Sequence, residues 1–228
     1  GIGPEITEQA LRVLTLIEQK RDVQFDCQHA EFGASAYFST GKSFPDATKK
    51  ACDEADAILK GPIGLSHEES EKIPVEERPE RGALLPMRRR LNTYANFRPI
   101  SLPKGMAHFS PLKADIVGEG IDILLVRELV GGLYFGGKER GETSDGLRYV
   151  KETLEYDEQQ IRQILLIAFQ EAMKRKKVLH NIHKSNVLVS SVLWNEVLEE
   201  VAADFPEVTV IHMLVDAAAT HLCLNPGQ

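Results

Sequence analysis

VLHNIHKSNVLVSSVLWNEVLEEVAADFPEVTVIHMLVDAAATHLCL, residues Val178–Leu224, is the stretch on which the fold class turns. Val178–Ile182 and Val208–Met213 read as short apolar strands, while Asn186–Ala203 and Asp216–Leu224 read as helices. Strands that alternate with helices specify an α/β architecture. Just upstream, Asp157 is placed to cap a long amphipathic helix with Ile161, Ile164, Leu165, Ala168 and Phe169 on one face.

Working outward, Ile121–Glu128 is a strongly apolar strand, followed by the glycine pairs Gly131-Gly132 and Gly136-Gly137 around Tyr134. Leu147–Tyr156 alternates as a strand, Tyr94–Leu102 is extended, and Leu84–Leu91 forms a short helix. Nearer the N-terminus, Pro4 opens a helix with Ile6, Ala10, Val13, Leu14 and Ile17 at helical spacing. Val23, Phe25 and Cys27 alternate as a strand, Ala47–Asp53 is a short helix, and Ala55–Lys60 has the look of a buried strand. The polar, Glu-rich run Leu65–Arg81 is expected to be a long surface loop.

Composition narrows the function classes. Lys and Arg number 27 against 34 Asp and Glu, a net charge of −7, which argues against a nucleic-acid partner. With 43% hydrophobic and 27% charged residues the chain has ordinary globular composition. No apolar run approaches the ~18 residues of a membrane span, so no membrane partner is expected. Cys27, Cys52 and Cys223 lie far apart without a CxxC pair, which makes the cytoplasm the expected compartment. The opening Gly1-Ile2-Gly3-Pro4-Glu5 lacks the strand that normally precedes such a turn, and Asn225-Pro226-Gly227-Gln228 is a turn with nothing after it. A piece of a longer polypeptide is the expectation.

Six residues could carry chemistry. Arg98 and Arg127 interrupt apolar strands, where a guanidinium fork needs an anion and matches a carboxylate. Arg88, in Arg88-Arg89-Arg90, reads equally as a solvated face. Tyr134 is either a proton donor or an aromatic anchor, and the residues alone favour the anchor. Lys184 follows a strand, where α/β proteins place catalytic groups, but it can also be an ordinary helix flank. Asp216 can cap the last helix or give one ligand to a hard cation, and local sequence favours the cap.

Five segments in order resemble the isocitrate/isopropylmalate dehydrogenase family, the β-decarboxylating dehydrogenases, with the isopropylmalate branch nearest. They are GIGPEI at the start, RPERGALLPMRRRLNTYANFRP (Arg78–Pro99), DILLVRELVGGLYFGGKERG (Asp122–Gly141), HKSNVLVSSVLW (His183–Trp194) and HMLVDAAA (His212–Ala219). The chain departs from the family pattern in having His183 where Asp usually precedes the catalytic lysine and Ala217 where Asn usually follows the metal aspartate. The loop after Leu65 also lacks the usual Gly-Gly-Pro opening.

The resemblance implies an α/β chain with the family's two-domain fold, incomplete at both ends. By the same resemblance, residues 1–97 are part of a large domain, and residues 98–228 are a smaller dimerisation domain with an arm at 130–156. The implied reaction is NAD-dependent oxidation and decarboxylation of a 2-hydroxy acid, 3-isopropylmalate in leucine biosynthesis. Isocitrate, homoisocitrate and tartrate are the alternative substrates, and a non-catalytic relic is the alternative of another class. The resemblance further implies that Arg88, Arg98 and Arg127 bind the substrate carboxylates, and that Leu84 and Leu85 form an apolar wall for the substituent. In the family's scheme Lys184 is the general base and Tyr134 the general acid. Asp216 binds Mg2+ or Mn2+ and substrate, while Glu80 and Asn186 contact NAD. The implied active sites are shared across a homodimer. Further metal aspartates and an adenosine loop are expected beyond Gln228, leaving these 228 residues inactive by themselves.

Overall fold

Pro4 sits in the first turn of α1 (Gly3–Lys20), the opening element of a computed structural model that describes residues 2–227. Two compact units follow one another along the chain, with the division between Asn92 and Thr93. The whole of the extended segment after Thr93 therefore belongs to the second unit.

The first unit is helical among the described residues, with α1, α2 (Ala34–Thr40), α3 (Asp46–Glu54), α4 (His67–Ser70) and α5 (Leu85–Arg90). Its small core gathers Phe44, Ala83 and Met87, with Phe32, Cys52, Leu84 and Leu91 packed around them. Buried Ser43 ties this core together: its N–H donates to a Glu77 carboxylate oxygen at 2.7 Å and its hydroxyl to the Glu77 carbonyl. Arg90 forks onto Asp53, with Nε donating to Oδ1 at 2.7 Å, which fastens α5 to α3. The arginine holds the Asp53 carboxyl below the usual range.

Three sequence expectations fail in this unit. Val23–Cys27 and Ala55–Lys60 form no strands, and Ile58 and Leu59 are exposed. An isolated apolar segment cannot become a strand without a neighbour to satisfy its backbone, and the described part of this unit has no strand to supply one. The expected loop Leu65–Arg81 instead folds into short helices. A capping box between Ser66 and Glu69 starts α4, a 3-10 turn spans Val75–Glu77, and a π-helical turn, Pro79–Leu84, runs directly into α5. Ile73, buried beneath them, is the apolar anchor that the Glu-rich composition masks. The α1 side chains Ile6, Val13 and Ile17 are exposed.

Among the described residues the second unit carries all the strands. β1 (Ala95–Pro103) pairs antiparallel with β2 (Gly120–Glu128), and α6 (Ala114–Val117) lies between them in sequence. β3 (Lys138–Glu142) and β4 (Arg148–Glu152) form a solvent-facing hairpin. Then α7 (Glu158–Met173), β5 (Val178–His183), α8 (Val189–Ala202), β6 (Thr209–Leu214) and α9 (Val215–Leu224) complete the alternation, with β5 and β6 parallel. Asp157 and Gln160 make the capping box that starts α7. The core lies between α7 and α8, where Ile161, Leu165, Phe169, Val197, Leu198 and Val201 pack with Leu179 and Val210 of the parallel strands. Phe169 is fully buried and stacks on Phe205 with ring centroids 5.1 Å apart.

Phe169→Ala should destabilise this unit by about 3–5 kcal/mol, the transfer and cavity cost of a buried phenylalanine. Urea unfolding followed by Trp194 fluorescence measures it, and a loss below about 1 kcal/mol would mean that the α7–α8 contact is not the core of this unit.

Candidate active site

Glu80, Leu84, Leu85 and Arg88, the site residues expected in the first unit, sit on one continuous helical stretch. Glu80 is exposed in the π-helical turn, and its carbonyl accepts from the Leu85 N–H. Leu84 and Leu85 are half-buried, and Leu84 also packs on the Phe44 cluster. Arg88 is half-buried one turn further on. Partial burial of the Lys60 ammonium, and then the charge of Arg88, push Lys60 below its ordinary value. This end of α5 is therefore a locally cationic surface, suited to an anionic ligand.

In the second unit the strand register sets the arginines. Arg127 of β2 stands opposite Asn96 of β1, so Arg98, two residues along, shares its face of the sheet. Asn96 lies between them, and its side-chain oxygen accepts from Arg98 Nε at 2.9 Å. Both arginines are exposed. Beyond β2 the chain turns back through Gly131 and Gly132, which brings the Tyr134 ring to 5.6 Å from the Arg127 guanidinium carbon. A cation over the ring face is an attractive arrangement. Arg127 and Tyr134 thus stand together where β2 ends, with Arg98 on the same face of the sheet.

Glycine is required in that turn. A Cβ on Gly131 would sit 2.8 Å from the Tyr156 ring, and Gly132 has φ near +70° with the Tyr156 hydroxyl against it. Tyr156 in turn makes an edge-on contact with Trp194 of α8, 5.6 Å between centroids, which joins the turn to the core. The Gly132 N–H donates to the Glu155 carbonyl at 2.9 Å.

A second grouping forms where β5 and β6 end. Because the strands are parallel, with His183 paired to Leu214, their carboxyl ends lie side by side. Lys184 follows β5 and Asp216 stands in the first turn of α9, and the lysine ammonium donates to the Asp216 carboxylate. Lys184 is the less exposed partner, at 29% against 67% for the aspartate. The backbone of Lys184 is fixed as well. Its N–H donates to Ser191 Oγ at 3.2 Å, and its carbonyl accepts from Val187 and Leu188 at 3.0 and 2.8 Å. Asn186 is exposed on the intervening turn.

Beneath this pair lies a polar network that the sequence does not announce. Buried Asn181 of β5 reaches Asn195 of α8 at 2.8 Å and His212 of β6 at 3.2 Å, while His212 Nε2 meets Glu199 at 3.1 Å. His183 stands edge-on to His212 at 5.8 Å. Asn96, Tyr156, Ser191 and this network escape sequence reading, because a polar residue that braces another has no periodic signature.

Among the described residues no three His, Cys, Asp or Glu side chains cluster as a metal site. Asp216 offers one hard-oxygen ligand, which suits a single position in the shell of Mg2+ or Mn2+. No described helix is long and apolar enough to cross a membrane.

A family profile described as isocitrate/isopropylmalate dehydrogenase matches residues 1–228. The 3-isopropylmalate dehydrogenase of Syntrophotalea carbinolica is 45% identical over 228 residues, and that of Aliivibrio fischeri 43%. Each match covers 100% of this chain and 62% of the relative's length. Among solved structures, the TT0538 protein of Thermus thermophilus superposes with a TM-score of 0.77 at 29% identity, over 100% of this chain and 42% of that one. Isocitrate dehydrogenase from Methylococcus capsulatus gives 0.72 at 25% identity, over 99% of this chain and 61% of that one.

The Gly131 contact makes a specific prediction. Gly131→Ala must displace the Tyr156 ring and should cost about 1–3 kcal/mol of stability. Gly137→Ala, where a Cβ would meet only Thr153 Oγ1 at 3.6 Å, should stay within about 1 kcal/mol of wild type. Thermal unfolding of both variants compares them, and equal melting temperatures would remove Tyr156 as the support of the turn.

Proposed function

Since the chain belongs to the isocitrate/isopropylmalate dehydrogenase family, we propose that the whole protein oxidatively decarboxylates (2R,3S)-3-isopropylmalate to 4-methyl-2-oxopentanoate with NAD, in leucine biosynthesis. The observation that carries this reading is the Lys184–Asp216 pair at the ends of two parallel strands. It sets a proton-accepting group beside a hard-oxygen ligand, the two functions that oxidation of a hydroxy acid requires. The free state of Cys27, Cys52 and Cys223 supports a reducing, cytoplasmic setting.

Arg88, Arg98 and Arg127 hold the substrate carboxylates by bidentate, charge-assisted hydrogen bonds. Leu84 and Leu85 face the isopropyl group. Asp216 holds one coordination position of Mg2+ or Mn2+, and Glu80 and Asn186 contact NAD. Mg2+ or Mn2+, held in part by Asp216, would supply Lewis-acid polarisation of the reacting oxygen, and NAD would supply the hydride acceptor. Lys184 Nζ accepts the hydroxyl proton. A protonated Lys184 donating to Asp216 cannot do so, so the ion pair is the resting arrangement, and the ammonium must give its own proton to solvent before Nζ can accept the one from the hydroxyl. After CO2 leaves, Tyr134 Oη protonates the enolate carbon, with Arg127 over its ring keeping the phenol in place.

A homodimer completes the site, each active site taking Lys184 and Asp216 from the second copy. The exposed apolar side chains Val187, just before α8, and Val189, at its start, with Leu222 and Leu224 at the end of α9, support burial against another copy.

In the whole enzyme, Lys184→Ala should lower kcat about 10²–10⁴-fold, the usual contribution of a positioned base, without unfolding the dimer. Wild-type turnover by a folded dimer of that variant would remove Lys184 from the chemistry. For the substrate, kcat/KM should favour 3-isopropylmalate over isocitrate, because a third carboxylate against Leu84 and Leu85 would lie unpaired in an apolar setting. An isocitrate preference would transfer the protein to the sister activity.

A further inference from the structure

We infer that Glu128 is the positioning residue for the proton donor Tyr134: its carboxylate gathers the backbone N–H groups that follow β2 and thereby sets the turn carrying the tyrosine. This rests on the reading of Tyr134 as the acid.

β2 ends at Glu128, and after Leu129 the N–H groups of Val130 and Gly131 leave the ladder without strand partners. Glu128 Oε1 accepts from Val130 N–H at 2.6 Å and from Gly131 N–H at 3.1 Å, and Oε2 accepts from Gly131 N–H at 3.1 Å. Hydrogen bonds to an ionised acceptor are the strong ones, and these lie in a half-buried setting. Leu129, between the strand and the turn, is buried and donates its N–H to the Tyr94 carbonyl at 2.9 Å. The turn is thus pulled from the strand side by Glu128 and seated on the core side by Tyr156. The Tyr156 phenol is pushed up, first by burial and then by the negative charge of Glu128, with Arg127 opposing. All three groups therefore act on one small volume.

Two features distinguish this from a simple turn brace. The turn delivers Tyr134 onto the guanidinium of Arg127, and Arg127 is the sequence neighbour of Glu128. One strand end therefore sets both the carboxylate-binding arginine and the acid, with the Glu128 charge taken up by backbone donors. A rigid link of that kind fixes the distance between bound substrate and proton donor, to which proton-transfer rates are acutely sensitive.

The test is a double-mutant cycle in the whole dehydrogenase with 3-isopropylmalate, scoring the enol-protonation step apart from hydride transfer. Glu128→Ala should slow protonation about 10–100-fold, as a displacement near 1 Å does, and leave KM for the hydroxy acid within about threefold. Combined with Tyr134→Phe it should be no slower than Tyr134→Phe alone, because both changes act through one group. Glu128→Gln, which keeps an acceptor oxygen, should regain most of the rate, and amide exchange at Val130 and Gly131 should be fast in the Ala variant and protected in the Gln variant. Should Glu128→Ala not fold, Glu128→Asp keeps the charge with too short a reach and should show the same slowing. Multiplicative losses in the double variant, or wild-type protonation by Glu128→Ala or Glu128→Asp, overturn the positioning role while leaving the acid role intact. Full-rate protonation by Tyr134→Phe alone overturns the acid role, and the positioning role with it.

Discussion

The parallel pairing of β5 with β6 is the constraint on which the second unit depends. Parallel neighbours cannot be joined by a tight turn, so the chain must cross over through a helix that packs on the pair. Here that helix is α8, and α7 packs against it. Phe169, Leu198 and Val201 fill the space between them, and Phe205, on the connection from α8 to β6, stacks on Phe169. Burying these residues does more than stabilise the unit. It compels the two strands to end at the same place, so Lys184 and Asp216, 32 positions apart in sequence, become neighbours. Their proximity is a consequence of topology, and local sequence needed only to supply the right residue at each strand end.

The other grouping obeys a different rule. An antiparallel ladder fixes which side chains share a face, and the register of β1 on β2 puts Arg98 diagonal to Arg127 with Asn96 between. A slip of one residue would send Arg98 to the opposite face. The turn after β2 depends on the absence of side chains at Gly131 and Gly132, because the Tyr156 ring occupies that space. Ladder register and turn geometry together bring Tyr134 to Arg127, whereas β5 and β6 act through direction alone.

Much of the second unit is legible in the sequence because its signals are periodic or positional. The Asp157 cap, the apolar face from Ile161 to Phe169 and the strand–helix alternation after Val178 each correspond to an element found. In the first unit, apolar content misleads. Ala55–Lys60 has strand-like composition, but a strand is a property of two segments, and no second one is available among the described residues of that unit. Leu65–Arg81 misleads in the opposite sense, since its Glu residues obscure the Ser66–Glu69 capping box and the buried anchor Ile73. For the site, residues at strand ends can be nominated from sequence. The braces cannot: Ser191 holding the Lys184 N–H, or Glu128 holding Val130 and Gly131, are contacts between side chain and backbone with no spacing rule.

The departure His183 becomes intelligible at the level of the polar network. Asn181 can donate both amide hydrogens, one to Asn195 Oδ1 and one to His212 Nδ1. That assignment makes His212 Nδ1 an acceptor and leaves its proton on Nε2, directed at Glu199. Every heavy-atom contact is then satisfied. The edge of the next ring, His183, meets His212 at 5.8 Å, and its own Nδ1 accepts from the Ser185 N–H at 3.2 Å. A carboxylate at residue 183 would bring a fixed negative charge beside Lys184 and compete with Asp216 for the ammonium. The imidazole packs and accepts a backbone hydrogen bond without that charge, so Asp216 is the lysine's ion-pair partner here. With an imidazole at residue 183, Lys184 and Asp216 stay paired to each other without a competing carboxylate at that place.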